Sequence, residues 1–212
     1  KVKTDKNGRM DLIDLENTIE KCNKEGKKIF SIVATVGTTI RGAIDPIEEI
    51  GRFCKEKNIW LHIDGSIGGI FAITKISINE IRGINFANSI TINPQKILGI
   101  TKTSSILLVS DIEVLKNTFN TGLPYISSQS NKLNRGELGI QGSRPAEIIK
   151  LWLGLRFLGM QGIEHILNSS IERRNFFEKN LNKEKYLLCS GPLHIISFLP
   201  KGMSKNESDE WT

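Results

Sequence analysis

Two residue types capable of joint chemistry stand at a telling separation in this chain. Asp64 closes the apolar run Trp60-Leu61-His62-Ile63-Asp64 and is followed by Gly65 and Ser66. Lys96 lies thirty-two residues later, at the end of Ile90-Thr91-Ile92-Asn93-Pro94-Gln95-Lys96. A carboxylate after one buried strand and a primary amine after a later one suit pyridoxal phosphate. That cofactor needs an amine for its aldehyde and an acid for its ring nitrogen. Alone, a lysine or aspartate after a strand is ordinarily a solvated loop or turn residue; the pairing is what carries information.

Positioning both groups requires strands that end on the same side of a sheet. Ile29 to Thr35 and Ile59 to Ile63 read as short buried strands, Ser89 to Ile92 as another, and Ser104 to Val109 as a further one. Between them, residues 11–26 place Leu12, Leu15, Ile19 and Cys22 at helical spacing. Asp45-Pro46 is expected to open a helix reaching about Lys57, with Asp45 as N-cap and Pro46 at the first helical position. This alternation predicts an α/β fold with a mostly parallel sheet, whose sites lie at the strands' C-terminal ends. Asp64 and Lys96 both fall there. Gly68-Gly69 marks a turn or a close backbone approach.

The pattern lapses from Thr118 to Gly142, which reads as a long loop. Pro145 to Leu158 and about Gly162 to Leu181 read as two helices, and Leu193 to Leu199 as a final strand in a different sheet. Of the 212 residues, 39% are hydrophobic, enough for a core of one domain or somewhat more. The net charge of +6 is dispersed, with Lys21, Lys24, Lys27 and Lys28 mixed among Glu20 and Glu25; this is a solvated face, and no nucleic-acid partner is expected. No apolar run reaches the length of a membrane span, so no membrane partner is expected. Cys22, Cys54 and Cys189 have neither disulfide nor metal spacing, which points to reduced thiols, a cytoplasmic protein and no bound metal.

Four motifs then occur in order: Ala34-Thr35-Val36-Gly37-Thr38-Thr39, Gly42-Ala43-Ile44-Asp45-Pro46-Ile47, Trp60-Leu61-His62-Ile63-Asp64 and Asn93-Pro94-Gln95-Lys96. Together with Lys150-Leu151-Trp152-Leu153 and Gly159-Met160-Gln161-Gly162, they resemble the group II pyridoxal-phosphate-dependent amino-acid decarboxylases, the glutamate, aromatic amino-acid and cysteine-sulfinate decarboxylase family. The resemblance runs over essentially the whole chain. It implies the fold type I, aspartate-aminotransferase-like large domain over residues 1–144. Residues 145–212 would be linking helices and the beginning of an α+β C-terminal small domain.

The resemblance also implies roles. Lys96 would be a buried lysine holding the cofactor as an internal aldimine, and Asp64 the partner of the pyridinium nitrogen. Thr39 and Asn93 would contact the cofactor, Asn93 near the phosphate, and Ser66 would pack beneath the ring where a small residue is usual. The implied reaction is decarboxylation of an L-amino acid to the amine through a quinonoid intermediate, in a homodimer with shared sites. His62 reads as a core or supporting histidine; Arg144 resembles an arginine of the family's Gly-Arg segment. Gln95 stands where a histidine is common, Ser143 where a glycine is usual, and Ser130 to Gly139 lacks the family's loop tyrosine, leaving Tyr125 as the only one in that loop.

Opening on Lys1 and closing on Trp211-Thr212, the sequence reads as an internal piece, with the phosphate-cradling loop and ring-stacking histidine upstream. Residues 1–212 alone are therefore expected to be silent as an enzyme. Two alternatives stand beside decarboxylation: another reaction of the same fold (aminotransferase, lyase or aldehyde synthase), or a non-catalytic binding module.

Overall fold

The computed structural model describes residues 1–76, 78–101, 105–120, 122, 135–143, 145–204 and 206–207. After a small N-terminal hairpin bridged between Thr4 and Met10, the order is α1 (Leu12–Lys24), β1 (Ser31–Thr35), α2 (Ile47–Lys57), β2 (Trp60–Asp64), β3 (Ser89–Ile92), β4 (Ile106–Val109), α3 (Ile112–Phe119), α4 (Glu147–Asn180), β5 (Tyr186–Leu188) and β6 (Phe198–Pro200). Strands β1, β2 and β3 are parallel neighbours, and β4 adds to the edge antiparallel to β3. The expected α/β architecture with a mostly parallel sheet is thus present.

Side-chain alternation along these strands separates two faces. Ile32 and Ala34 of β1, Leu61 and Ile63 of β2 and Ile92 of β3 are buried in one cluster with Leu15 and Ile19 of α1 and Ile47, Ile50 and Cys54 of α2. Gly51 makes the α2 approach possible: a Cβ there would lie 2.6 Å from the Cβ of Phe86. The other face carries Val33, His62, Asp64 and Leu107 and is more open. Asp11 caps α1 by accepting from the Asp14 amide at 3.0 Å, and Lys21 and Lys24 complement its C-terminal end.

Several elements depart from the sequence expectation. Helix α2 begins at Ile47 with Pro46 at the cap, and Asp45 does not cap it. Asp45 is instead buried, accepting from the Met10 amide at 2.6 Å and the Thr35 amide at 2.7 Å. Two backbone donors outcompete the helix end because neither has another acceptor in the core. Of the expected Ser104 to Val109 strand, Ser104 lies outside the described residues, and the strand observed covers Ile106–Val109 and runs antiparallel to β3. Within the expected Thr118 to Gly142 loop, α3 extends to Phe119 and a 3-10 turn spans Arg135–Glu137. Tyr125, Arg144 and the segment 130–134 lie outside the described residues.

The two expected helices are both present within α4, separated by a kink at Gly159, whose φ of 57° and ψ of 179° only glycine adopts readily. The expected final strand is confined to Phe198–Pro200 and pairs antiparallel with β5, which carries no period-2 signal. That pair does form a separate sheet. Leu193, expected within the strand, is fully buried in the main core beside Gly37 and Gly68.

Replacing Asp45 with alanine strands two buried amides, Met10 N–H and Thr35 N–H. The expected loss is about 3 kcal/mol of stability in the full-length protein, read as an earlier chemical unfolding transition; an unchanged midpoint contradicts the role given to this carboxylate.

Candidate functional site

The parallel register sets Thr35, Asp64 and Thr91 side by side at the C-terminal ends of β1, β2 and β3. Period 2 puts Asp64 on the same face as Trp60 and His62, away from buried Leu61 and Ile63. Below it lies a polar network. Trp60 Nε1–H donates to Ser89 Oγ at 2.9 Å, and His62 Nδ1 stands 2.7 Å from that same oxygen. An indole N–H only donates, so Ser89 accepts there. On its other side, His62 Nε2 faces Thr91 Oγ1 at 3.3 Å, so both ring nitrogens have a hydroxyl partner. His62 is therefore a supporting residue, as its sequence context suggests.

Asp64 itself is held from the following turn. Ser66 donates its hydroxyl to Asp64 Oδ1 at 2.6 Å and its amide to the same oxygen at 3.1 Å. Burial pushes the carboxyl up, but the two Ser66 bonds and the positive charge of Lys96 and His62 reverse this, so the net pKa falls below the ordinary aspartate value. Ser66, expected to pack beneath a ring, turns its hydroxyl onto the acid.

Lys96 ends a 3-10 turn over Pro94–Lys96, with its amide bonded to Asn93 O at 3.0 Å. Pro94 and Leu98 enter the core, so the lysine between them points outward and is exposed, not buried as expected. Its charge is nonetheless close enough to Asp64 to lower that carboxyl. On either side of the turn, Asn93 Oδ1 and Gln95 Oε1 are buried with no hydrogen-bond partner. Thr39 is exposed in the turn after β1, where it makes no described side-chain hydrogen bond. Its neighbour Thr38 secures that turn by accepting from the Ala43 amide at 3.1 Å.

The structure thus groups Asp64, Ser66 and Lys96, flanks the lysine with Asn93 and Gln95, and leaves Thr39 on a separate turn. Gly68 and Gly69 serve packing: a Cβ on Gly68 would meet Val36 Cγ1 at 2.7 Å, and one on Gly69 would meet Ile92 Cγ1 at 3.0 Å. Sequence reasoning missed Ser89 and Thr91. The signal was available, because His62 and Ser89 face each other once β2 and β3 are paired. His194, given no role from sequence, stacks on Phe71 with centroids 6.2 Å apart, and burial lowers its pKa.

These residues fit pyridoxal phosphate. An accessible amine suits an aldehyde, and an ionised carboxylate suits a protonated ring nitrogen. A buried acceptor left unpaired costs about 1–3 kcal/mol, and Asn93 Oδ1 and Gln95 Oε1 need a donor, not a phosphate oxygen, to relieve it.

Comparison with known proteins agrees with this chemistry. The family model described as the pyridoxal-dependent decarboxylase conserved domain matches residues 1–197. Acidic amino acid decarboxylase GADL1 of Xenopus tropicalis is 33% identical over 187 residues, which are 86% of this chain and 37% of that protein. The chain therefore spans well under half the length of this curated relative. A crystal structure of mouse CSAD superposes with a TM-score of 0.84 at 28% identity, covering 99% of this chain and 46% of that one. Rhodiola rosea 4-hydroxyphenylacetaldehyde synthase gives 0.84 at 22% identity over 100% of this chain and 44% of that one, a likeness of fold alone.

Removing the Ser89 hydroxyl leaves Trp60 Nε1–H and His62 Nδ1 without their shared partner. Ser89→Ala is expected to lower stability by about 1–3 kcal/mol and Ser89→Thr by less, both measured by chemical unfolding of the full-length protein.

Proposed function

The chain belongs to the pyridoxal-dependent decarboxylase family, and from that premise we propose that the full-length protein removes carbon dioxide from an L-amino acid, with Lys96 and Asp64 carrying the chemistry. The observation that supports this most is the pairing of an exposed amine with an ionised carboxylate at one end of the parallel strands. When bound, pyridoxal phosphate supplies an electron-accepting ring for the electron pair left behind by departing carbon dioxide. Lys96 would hold the cofactor by its aldehyde, its amine being the nucleophile that attachment needs. Asp64 holds a proton on the ring nitrogen, because a carboxylate within hydrogen-bonding distance favours the cationic form.

Asn93 is proposed to contact the cofactor near its phosphate through its side-chain N–H donors, and Thr39 to offer its exposed hydroxyl. On this reading residues 1–144 belong to the cofactor-binding domain and residues 145–212 lead into the small domain. Acidic L-amino acids are the substrate class to assay first, since the GADL1 relative is named for them. The enzyme is proposed to act as a homodimer in the cytoplasm. Cys22, Cys54 and Cys189 are free thiols, as suits a reducing compartment.

The aldehyde synthase has the same fold, so the product decides between the two reactions. Full-length protein given pyridoxal phosphate and L-glutamate or L-aspartate is expected to release carbon dioxide and the amine in equal amounts; a keto acid or an aldehyde instead favours the alternative. Borohydride should fix the cofactor to Lys96, and Lys96→Ala should abolish that attachment. Asp64→Asn should keep the attachment and lower kcat by about a hundredfold or more. Cofactor trapped on a different lysine, or undiminished turnover without the Asp64 carboxylate, contradicts the assignment.

A further inference from the structure

Asp64 presents two oxygens, and the structure treats them differently. Oδ1 accepts both the hydroxyl and the amide of Ser66, at 2.6 and 3.1 Å, whereas no described residue donates to Oδ2. A carboxylate oxygen holding two donors has little capacity left for a third. Resting on the cofactor reading above, we propose that Ser66 is a positioning residue: it occupies Oδ1, fixes the rotation of the Asp64 carboxylate, and leaves Oδ2 as the oxygen offered to the cofactor's ring nitrogen.

The local chain explains why residue 66 can do this. Gly65 packs tightly, with an added Cβ meeting both Gly69 Cα and Thr91 O at 3.0 Å, so the backbone folds straight back over the end of β2. Gly69 N–H donates to Gly65 O at 2.8 Å and Gly68 N–H to Val36 O at 2.9 Å, which pins the turn to β1 and to itself. The Ser66 amide and hydroxyl then both point at residue 64. An alanine at this position would supply the amide bond alone. The hydroxyl is thus a second donor, charge-assisted and short, whose effect falls on the acid rather than on a ligand.

Two consequences follow. The carboxylate is pre-oriented, so little rotational freedom is lost when a cationic partner arrives. It also stays ionised further into acid, because hydrogen bonds to the charged form favour that form. The sign is that of a depressed carboxyl: the favourable state holds above the ordinary aspartate range and is lost as pH falls through the lowered value. Among the described residues, the charged and titratable groups facing Asp64 are Lys96, from the turn after β3, and His62 on its own strand. Strands β1 and β3 place Thr35 and Thr91 beside it, which do not titrate.

The test uses the full-length protein loaded with pyridoxal phosphate, as wild type, Ser66→Ala and Ser66→Thr. Ser66→Ala is expected to lose its cofactor absorption band and its activity at a higher pH than wild type. Its kcat should fall about tenfold at the acid end, the size of one charge-assisted hydrogen bond, and by less at neutral pH, with KM nearly unchanged. Ser66→Thr, which keeps the hydroxyl, should restore the wild-type acid limb. In the cofactor-free protein, the carboxyl carbon resonance of Asp64 should titrate at higher pH in Ser66→Ala than in wild type. Superimposable acid limbs and an unmoved Asp64 titration, with the cofactor still trapped on Lys96, overturn the inference alone. A uniform loss at every pH with a lowered Tm overturns it too, as the mark of a purely structural serine. Cofactor trapped away from Lys96 in the wild type overturns the underlying reading instead.

Discussion

The rest of this structure depends on a buried carboxylate that does no chemistry. Asp45 accepts from Met10 N–H with one oxygen and Thr35 N–H with the other, and its own amide donates to Thr35 O at 2.9 Å. It therefore ties the N-terminal hairpin and the start of α2 to the last residue of β1. Thr35 is the register partner of Asp64, so the clamp fixes the strand end against which the acid of the site is aligned. Val36 N–H then donates to Asp64 O at 2.9 Å, and Gly68 N–H to Val36 O. The chain of bonds runs unbroken from Asp45 to the turn that holds Ser66.

Asp45 and Asp64 show how environment sets the behaviour of one residue type. Burial dominates at Asp45 and moves its carboxyl up despite two backbone donors, with the neighbouring charge of Asp5 acting in the same direction. Burial also opposes ionisation at Asp64, but there a hydroxyl, an amide and two cationic side chains outweigh it. The difference is the supply of mobile positive charge. Asp45 lies inside, where Arg9 is already paired with Asp5, while Asp64 lies at the open C-terminal end of the strands near Lys96. A carboxylate suited to structure and one suited to chemistry arise nineteen residues apart on the same scaffold.

Much of this was legible in the sequence because the strands are short, apolar and β-branched, a pattern that survives without tertiary help. Ser89 to Ile92 was readable to the residue, and Asp64 and Lys96 fell where alternation places strand ends. What stayed hidden depends on pairing. Asp45 followed by Pro46 has the local signature of a helix cap, yet its oxygens are claimed by amides ten and thirty-five residues away. The 3-10 turn that exposes Lys96 is set by Pro94 and Leu98 entering the core, which no local periodicity reports. Strand β5 lacks alternation and exists because Phe198 meets Tyr186 edge-on at 5.7 Å. The Ser66 hydroxyl was visible as a residue type, but its direction required the fold of the turn.

The turn that bears Lys96 has one more consequence. Ile92 and Ile106 are register partners, so the connection bearing Lys96 leaves the sheet and returns to it at adjacent points. Lys96 lies only four residues beyond Ile92, and a chain that long reaches at most about 14 Å. An amine confined to a sphere of that radius has a local concentration on the order of 0.1 M. The folded turn narrows the volume further. A carbonyl compound entering beside Asp64 therefore meets a lysine far more concentrated than any amine free in solution, because four residues tether it to the end of β3.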